Sequence, residues 1–226
     1  DGKLVEKGSD LFRKLQNELY NTQILSTSGA SYTDFVANRI LTGAEASLTN
    51  AFAAFCHTFL AHKEPDRFDE SMVSTAFHSH PDITLRLIRL FKTRFDPEIT
   101  EREGSYEKER KELLEVIEGY NTGHRYLDEV RRTIFRTCLS FIQRTLKTNF
   151  FVPEKHALAF RLDPEILGDL GSTFTSDLPQ GRPFRITFFF SRHAVGYHIG
   201  FSDIARGGWR TIICKTPDEC TTATNS

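Results

Sequence analysis

One tryptophan, one methionine and four cysteines are all that the 226 residues contain of these types. No two cysteines stand in a CxxC spacing, so the ligand pairs of a zinc site are missing. Cys56 and Cys138 lie inside helical patterns and read as buried, reduced thiols that act as small hydrophobes. This favours a reducing compartment: the cytoplasm, or a mitochondrial matrix if a transit peptide lies upstream. Charge of one sign is also lacking. The formal net charge is -1, so there is no global field of the kind that draws in nucleic acid or an anionic membrane. The opening DGKLVEKGSD has no apolar core of the secretory type. The most apolar stretch, Leu48–Leu60, carries Thr49, Asn50, His57 and Thr58 and is too short to span a bilayer. No GxGxxG occurs anywhere, so no dinucleotide-binding domain is expected within the chain. A soluble protein with neither nucleic-acid nor membrane partners is the expectation.

What the chain does have is phenylalanine, 20 of them, enough to build an aromatic core. The length allows one large domain or two smaller ones. From Asp10 to about Lys147 the patterning is helical. Ser9 or Asp10 can cap a helix through Leu11, Leu15 and Leu19. A second helix begins near Ser31, with Phe35, Val36, Ile40 and Leu41 on one side. Ala44–His62 is apolar nearly all round, as in a buried helix that Pro65 ends. Ile83, Leu87, Leu90 and Phe91 repeat at helical spacing until Pro97. Glu98–Glu118 reads as an exposed charged helix. A long helix carrying Tyr126, Val130, Ile134, Cys138, Phe141 and Ile142 follows the turn at Asn121–Gly123.

Beyond Lys147 the texture changes to strands. Ala157–Leu162, Phe184–Ser191 and Val195–Asp203 alternate apolar and polar residues, and Thr211–Cys214 reads as another strand. In Val195–Asp203 one face carries Val195, Tyr197, Ile199 and Phe201; the other carries Gly196, His198, Gly200 and Ser202. Two glycines on one face imply close approach of a backbone or a ligand. The fold class is therefore α+β. A helical module over 1–147 precedes a β-rich segment over 148–226 that opens an α/β catalytic domain.

The octapeptide DIARGGWR, Asp203–Arg210, ends that β-rich run. Its Gly-Gly pair lets main-chain N–H groups approach a ligand. Arg206 offers a permanent fork of donors matched to a carboxylate or phosphate. On its own the octapeptide reads first as a tight turn whose arginines are solvated or paired with Asp203.

Its surroundings narrow the choice. The run RPFRITFFFSRHAVGYHIGFSDIARGGWR (Arg182–Arg210) and the upstream TNFFVPEKHALAFRLDPEIL (Thr148–Leu167) resemble the large NAD-specific glutamate dehydrogenases. In that family a "PFR" strand, a short turn and a "G-x-H-x-x-F-x-x-I-A-R-G-G-x-R" segment open the catalytic domain. The smaller hexameric enzymes have "K-G-G-x-R" at the corresponding place, with its lysine on the substrate's side-chain carboxylate. The resemblance thus implies that Arg206 holds the distal carboxylate of glutamate or 2-oxoglutarate. Gly207 and Gly208 would let the backbone pass beneath the substrate. Arg210 completes the pattern with a structural role as its alternative. His198, on the glycine face of the strand entering this segment, reads as a packing residue or as one near the substrate. Arginine in place of lysine changes reach and geometry. The family's nucleotide domain and catalytic lysine come after this segment. The expectation is therefore a fragment of a longer homo-oligomeric, NAD-using oxidoreductase, inactive by itself.

Other residues weigh less. His78 and His80 before Pro81 fit a helix-end pair better than a metal site. Arg125, Arg131, Arg132, Arg136 and Arg144 on the long helix are interleaved with Asp128 and Glu129 and read as a solvated or interface face. They motivate the alternative function: a helical assembly or regulatory module that mediates oligomerisation or effector binding.

Overall fold

The computed structural model describes residues 41–62, 64–169, 183–191, 194–201 and 209–213, with scattered positions between 7 and 16. Five helices come first: α1 (Gly43–Leu60), α2 (Glu70–Ser79), α3 (Pro81–Phe95), α4 (Glu103–Glu118) and α5 (Arg125–Arg144). Then follow β1 (Thr145–Thr148), β2 (Leu158–Leu162), the short α6 (Ile166–Asp169), β3 (Arg185–Phe190), β4 (Val195–Gly200) and β5 (Trp209–Ile213). The strands form one sheet in the order β1-β2-β3-β4-β5, every neighbouring pair antiparallel. The α+β class holds. The helix expected from Ser31 and Cys214 and Cys220 lie outside the described residues. Near the N-terminus, Ser9 Oγ accepts from Phe12 N at 3.1 Å, the bond expected of a helix cap.

Local chemistry explains where the helices start. Thr42 and Glu45 form a capping box: Glu45 N donates to Thr42 Oγ1 at 3.2 Å, and Thr42 N donates to Glu45 Oε2 at 2.9 Å. Asp69 caps α2 by accepting from Met72 N. Pro81 opens α3 at the position where its missing N–H costs nothing. At the head of α5 the buried Asp128 accepts from both the N–H and the hydroxyl of Thr122, at 2.8 and 2.6 Å.

Three boundaries differ from the sequence reading. Helix α1 ends at Leu60 rather than His62, with Ala61 as its C-cap still bonded through its N–H to His57 O. The charged helix begins at Glu103 and is amphipathic, burying Tyr106, Leu113 and Ile117 against its neighbours. Strand β1 replaces what read as the last turn of α5. Thr145 Oγ1 donates to Phe141 O at the helix end, and the chain passes straight into pairing with β2.

Buried alternation in β2 (Leu158, Phe160, Leu162) and β3 (Ile186, Phe188, Phe190) turns one face of the sheet onto the helices. The contact is aromatic. Phe55 of α1 meets Phe141 of α5 at 4.3 Å and Phe188 of β3 at 5.4 Å between ring centroids. Phe141 meets Phe160 at 5.0 Å, and Phe188 meets Tyr197 at 5.2 Å. Each such pair contributes about 0.5–1.5 kcal/mol beyond burial of its area. One continuous cluster of buried side chains therefore joins helices and sheet.

Candidate functional site at the end of the sheet

Strands β4 and β5 form the hairpin that carries the Arg-Gly-Gly segment. Ile199 pairs with Trp209 and His198 with Arg210, on the two strands that flank the Arg-Gly-Gly segment in the sequence. Arg206, Gly207 and Gly208 lie outside the described residues. Arg210 is placed by backbone register alone, opposite His198. On its other side His198 faces Thr187 of β3, and it is half-buried.

The hairpin closes at the end of the sheet where β2 finishes and β3 begins. At this end Arg185 pairs with Gly200. A Cβ built on Gly200 would lie 2.9 Å from Arg185 Nε and 3.0 Å from its Cγ. The close approach that the glycine face implied is thus made at Gly200 by a side chain of the same sheet. Arg161 of β2 is near enough to Arg185 that burial and the neighbouring guanidinium both lower its pKa.

On the helix-facing side of the same end is a cavity of about 350 Å³. Leu162, Ile186, Tyr197 and Ile199 wall it from the sheet, Thr58 and His62 from the end of α1, and Ile166 from α6. Its polar feature is the contact of Tyr197 Oη with Thr58 Oγ1 at 2.7 Å. Thr58 also donates to Phe55 O, so the phenol serves as donor to Thr58. Burial keeps the Tyr197 phenol protonated well above the ordinary tyrosine range. Nothing in the local sequence pointed to this pair, since its members are 139 residues apart.

The remaining candidates find structural partners. His80 Nδ1 bonds Ala76 O at 2.9 Å, and its Nε2 bonds the Tyr120 hydroxyl, locking the junction of α2 and α3. Burial lowers the pKa of His78. Among the described residues no group of three His, Cys, Asp or Glu could hold a metal ion. Four of the five α5 arginines engage their own chain: Arg131 donates to the Tyr120 hydroxyl and Arg132 to Tyr120 O, Arg136 pairs with Glu118, and Arg144 with Asp169, while Arg125 is exposed. Cys56 and Cys138 are free and buried, and Cys56 Sγ donates to Ile134 O. No described helix is long and apolar enough to cross a membrane.

The sequence of this region has known counterparts. Residues 124–215, from the head of α5 past β5, match the family described as bacterial NAD-glutamate dehydrogenase, catalytic domain. The resemblance read from the motifs holds: the chain is a relative of the NAD-specific glutamate dehydrogenases. It is 31% identical over 148 residues to the NAD-specific glutamate dehydrogenase of Pseudomonas aeruginosa, covering 63% of this chain and 8% of that protein. It is 30% identical over 184 residues to the enzyme of that name from Halomonas elongata, covering 76% and 10%. With glutamate dehydrogenase 2 of Dictyostelium discoideum the identity is 34% over 149 residues, covering 65% and 13%. The chain thus spans about a tenth of the length of these curated relatives.

Proposed function

We propose that this chain is part of an NAD-dependent glutamate dehydrogenase, and that it builds the substrate-carboxylate side of the active site. The whole enzyme would convert L-glutamate, NAD and water to 2-oxoglutarate, ammonium and NADH. NAD would bind elsewhere in the longer polypeptide, which would also supply the catalytic lysine. A homo-oligomeric, cytoplasmic enzyme is part of the same reading, with the mitochondrial matrix as the other compartment.

The observation that carries the proposal is the hairpin. The range of the family match includes β3, β4 and β5, and the sequence between β4 and β5 includes the Arg-Gly-Gly of the motif. Arg206 would grip the distal carboxylate of glutamate through a charge-assisted contact, worth on the order of 1.5–3 kcal/mol. Gly207 and Gly208 would let the main chain run beneath it. Arg210 and His198, paired across β4 and β5, would brace the loop from the strand side.

Kinetics on the longer enzyme test this. Arg206→Ala should raise KM for glutamate strongly and leave NAD affinity nearly unchanged. An unaltered KM for glutamate would overturn the assignment.

A further inference from the structure

The sheet runs one row of side chains further than the helix that covers it. Phe160, Phe188 and Tyr197 stand side by side on β2, β3 and β4 and pack into the aromatic core around Phe55 and Phe141. The next row, Leu162, Ile186 and Ile199, is aliphatic. Helix α1 has ended at Leu60 by then. The space left between this row and the end of the helix is the cavity of about 350 Å³. Folded interiors hold few voids larger than a water molecule, and this one exceeds the share of a water in the liquid about tenfold.

The polar atoms that border it offer lone pairs. Thr58 Oγ1 donates to Phe55 O at 3.0 Å, so the Tyr197 hydroxyl donates to Thr58 Oγ1 at 2.7 Å and keeps a lone pair of its own. Among the described residues no N–H or O–H donates to it. His57 Nδ1 lies 2.9 Å from Phe68 O, which can only accept, so that nitrogen carries the proton and the neutral ring leaves Nε2 a lone pair. His62 is exposed and has a partner of its own. The last turn of α1 adds the negative end of its dipole. Such a setting favours a hydrogen-bond donor and disfavours a carboxylate or phosphate, while the apolar walls penalise a full positive charge. Tyr197 is half-buried although it belongs to the core-facing row, because its outer edge meets this space.

We infer that the cavity binds a small apolar molecule bearing one hydroxyl group, which donates to Tyr197 Oη. The volume suits an occupant of about ten non-hydrogen atoms, at about 30 Å³ each. Concave, mostly apolar walls with a few polar groups that fix orientation are the form of a small-molecule site. Leu162, Ile186 and Ile199 supply the walls, and Tyr197 and Thr58 supply the orienting pair.

Calorimetric titration of the 226-residue chain with p-cresol tests this, with toluene and p-toluate as comparison ligands of similar shape. Toluene lacks the hydroxyl, and p-toluate replaces it with a carboxylate. The expected result is saturable binding of p-cresol, binding of toluene about tenfold weaker, and no binding of p-toluate. Tyr197→Phe keeps the ring and removes the acceptor. It should weaken p-cresol about five- to tenfold and leave toluene nearly unchanged. Ala61→Phe, at a half-exposed position that lines the cavity, should block both ligands. The inference is overturned if p-cresol does not bind saturably, if toluene or p-toluate binds as tightly, or if either variant binds p-cresol like the unaltered chain.

Discussion

Arg185 lies across Gly200, its side chain filling the space where any other residue at that position would carry a Cβ. The arginine is held at the end of the sheet from which the Arg-Gly-Gly hairpin departs. Glycine is favoured at position 200 by a neighbour's side chain, not by its own backbone angle.

Gly200→Ala should therefore displace Arg185 and destabilise the chain by about 1 kcal/mol. Combining it with Arg185→Ala should recover most of that loss. Urea denaturation of the two single variants and the double variant measures the coupling. Additive effects would mean that the two residues do not share that space.

Phe141 touches Phe52 and Phe55 of α1, Phe160 of β2 and Phe188 of β3. Phe141→Ala should cost about 3–5 kcal/mol and lower the stability of helices and sheet together. Far-UV circular dichroism and the fluorescence of Trp209, the single tryptophan, should report one coincident transition. Separate transitions would show that the helical layer and the sheet unfold as independent units.

Glu45 joins the α1 cap to α3 through Lys92, at 3.0 Å. Burial opposes its ionisation, but the bonds from Thr42 and Lys92 outweigh burial and hold its pKa below the ordinary glutamate value. Its contribution is present above the unfolded pKa and is lost as pH falls through the lowered folded one. Glu45→Gln should cost roughly 1 kcal/mol at neutral pH. The gap between variant and parent should close in acid, which denaturation midpoints at both pH values would reveal.

Burial pushes the Cys138 thiol well above its ordinary range, helped by the adjacent Cys56. With Cys214 and Cys220 replaced by serine, the folded chain should not react with a thiol reagent at pH 8. Denaturant should release both thiols, because only the thiolate attacks. Fast labelling of the folded chain would contradict the burial.

Much of this architecture was legible because side-chain periodicity decided it. The apolar repeat of Ile83, Leu87, Leu90 and Phe91 set α3, and the alternation of FRITFFF set β3. Strand β1 was not legible, since Thr145–Thr148 continues a helical pattern and only pairing with β2 pulls it into the sheet. The approach of Lys147 to Arg161 is a property of register, invisible until β1 and β2 are paired. The Thr58–Tyr197 bond joins distant parts of the chain for the same reason. The role of Arg206 came from resemblance, because eight residues around a Gly-Gly pair read by themselves as a plain turn.

The most direct test of that role is substrate discrimination by the longer enzyme that contains this chain. Norvaline keeps the α-amino acid group of glutamate and lacks its distal carboxylate, so the ratio of kcat/KM for the two isolates the contact assigned to Arg206. Arg206→Ala should lower kcat/KM for glutamate by about 10- to 100-fold, the worth of one charge-assisted bond, and leave norvaline nearly unaffected. An equal loss on both substrates, or no loss on either, would contradict the assignment.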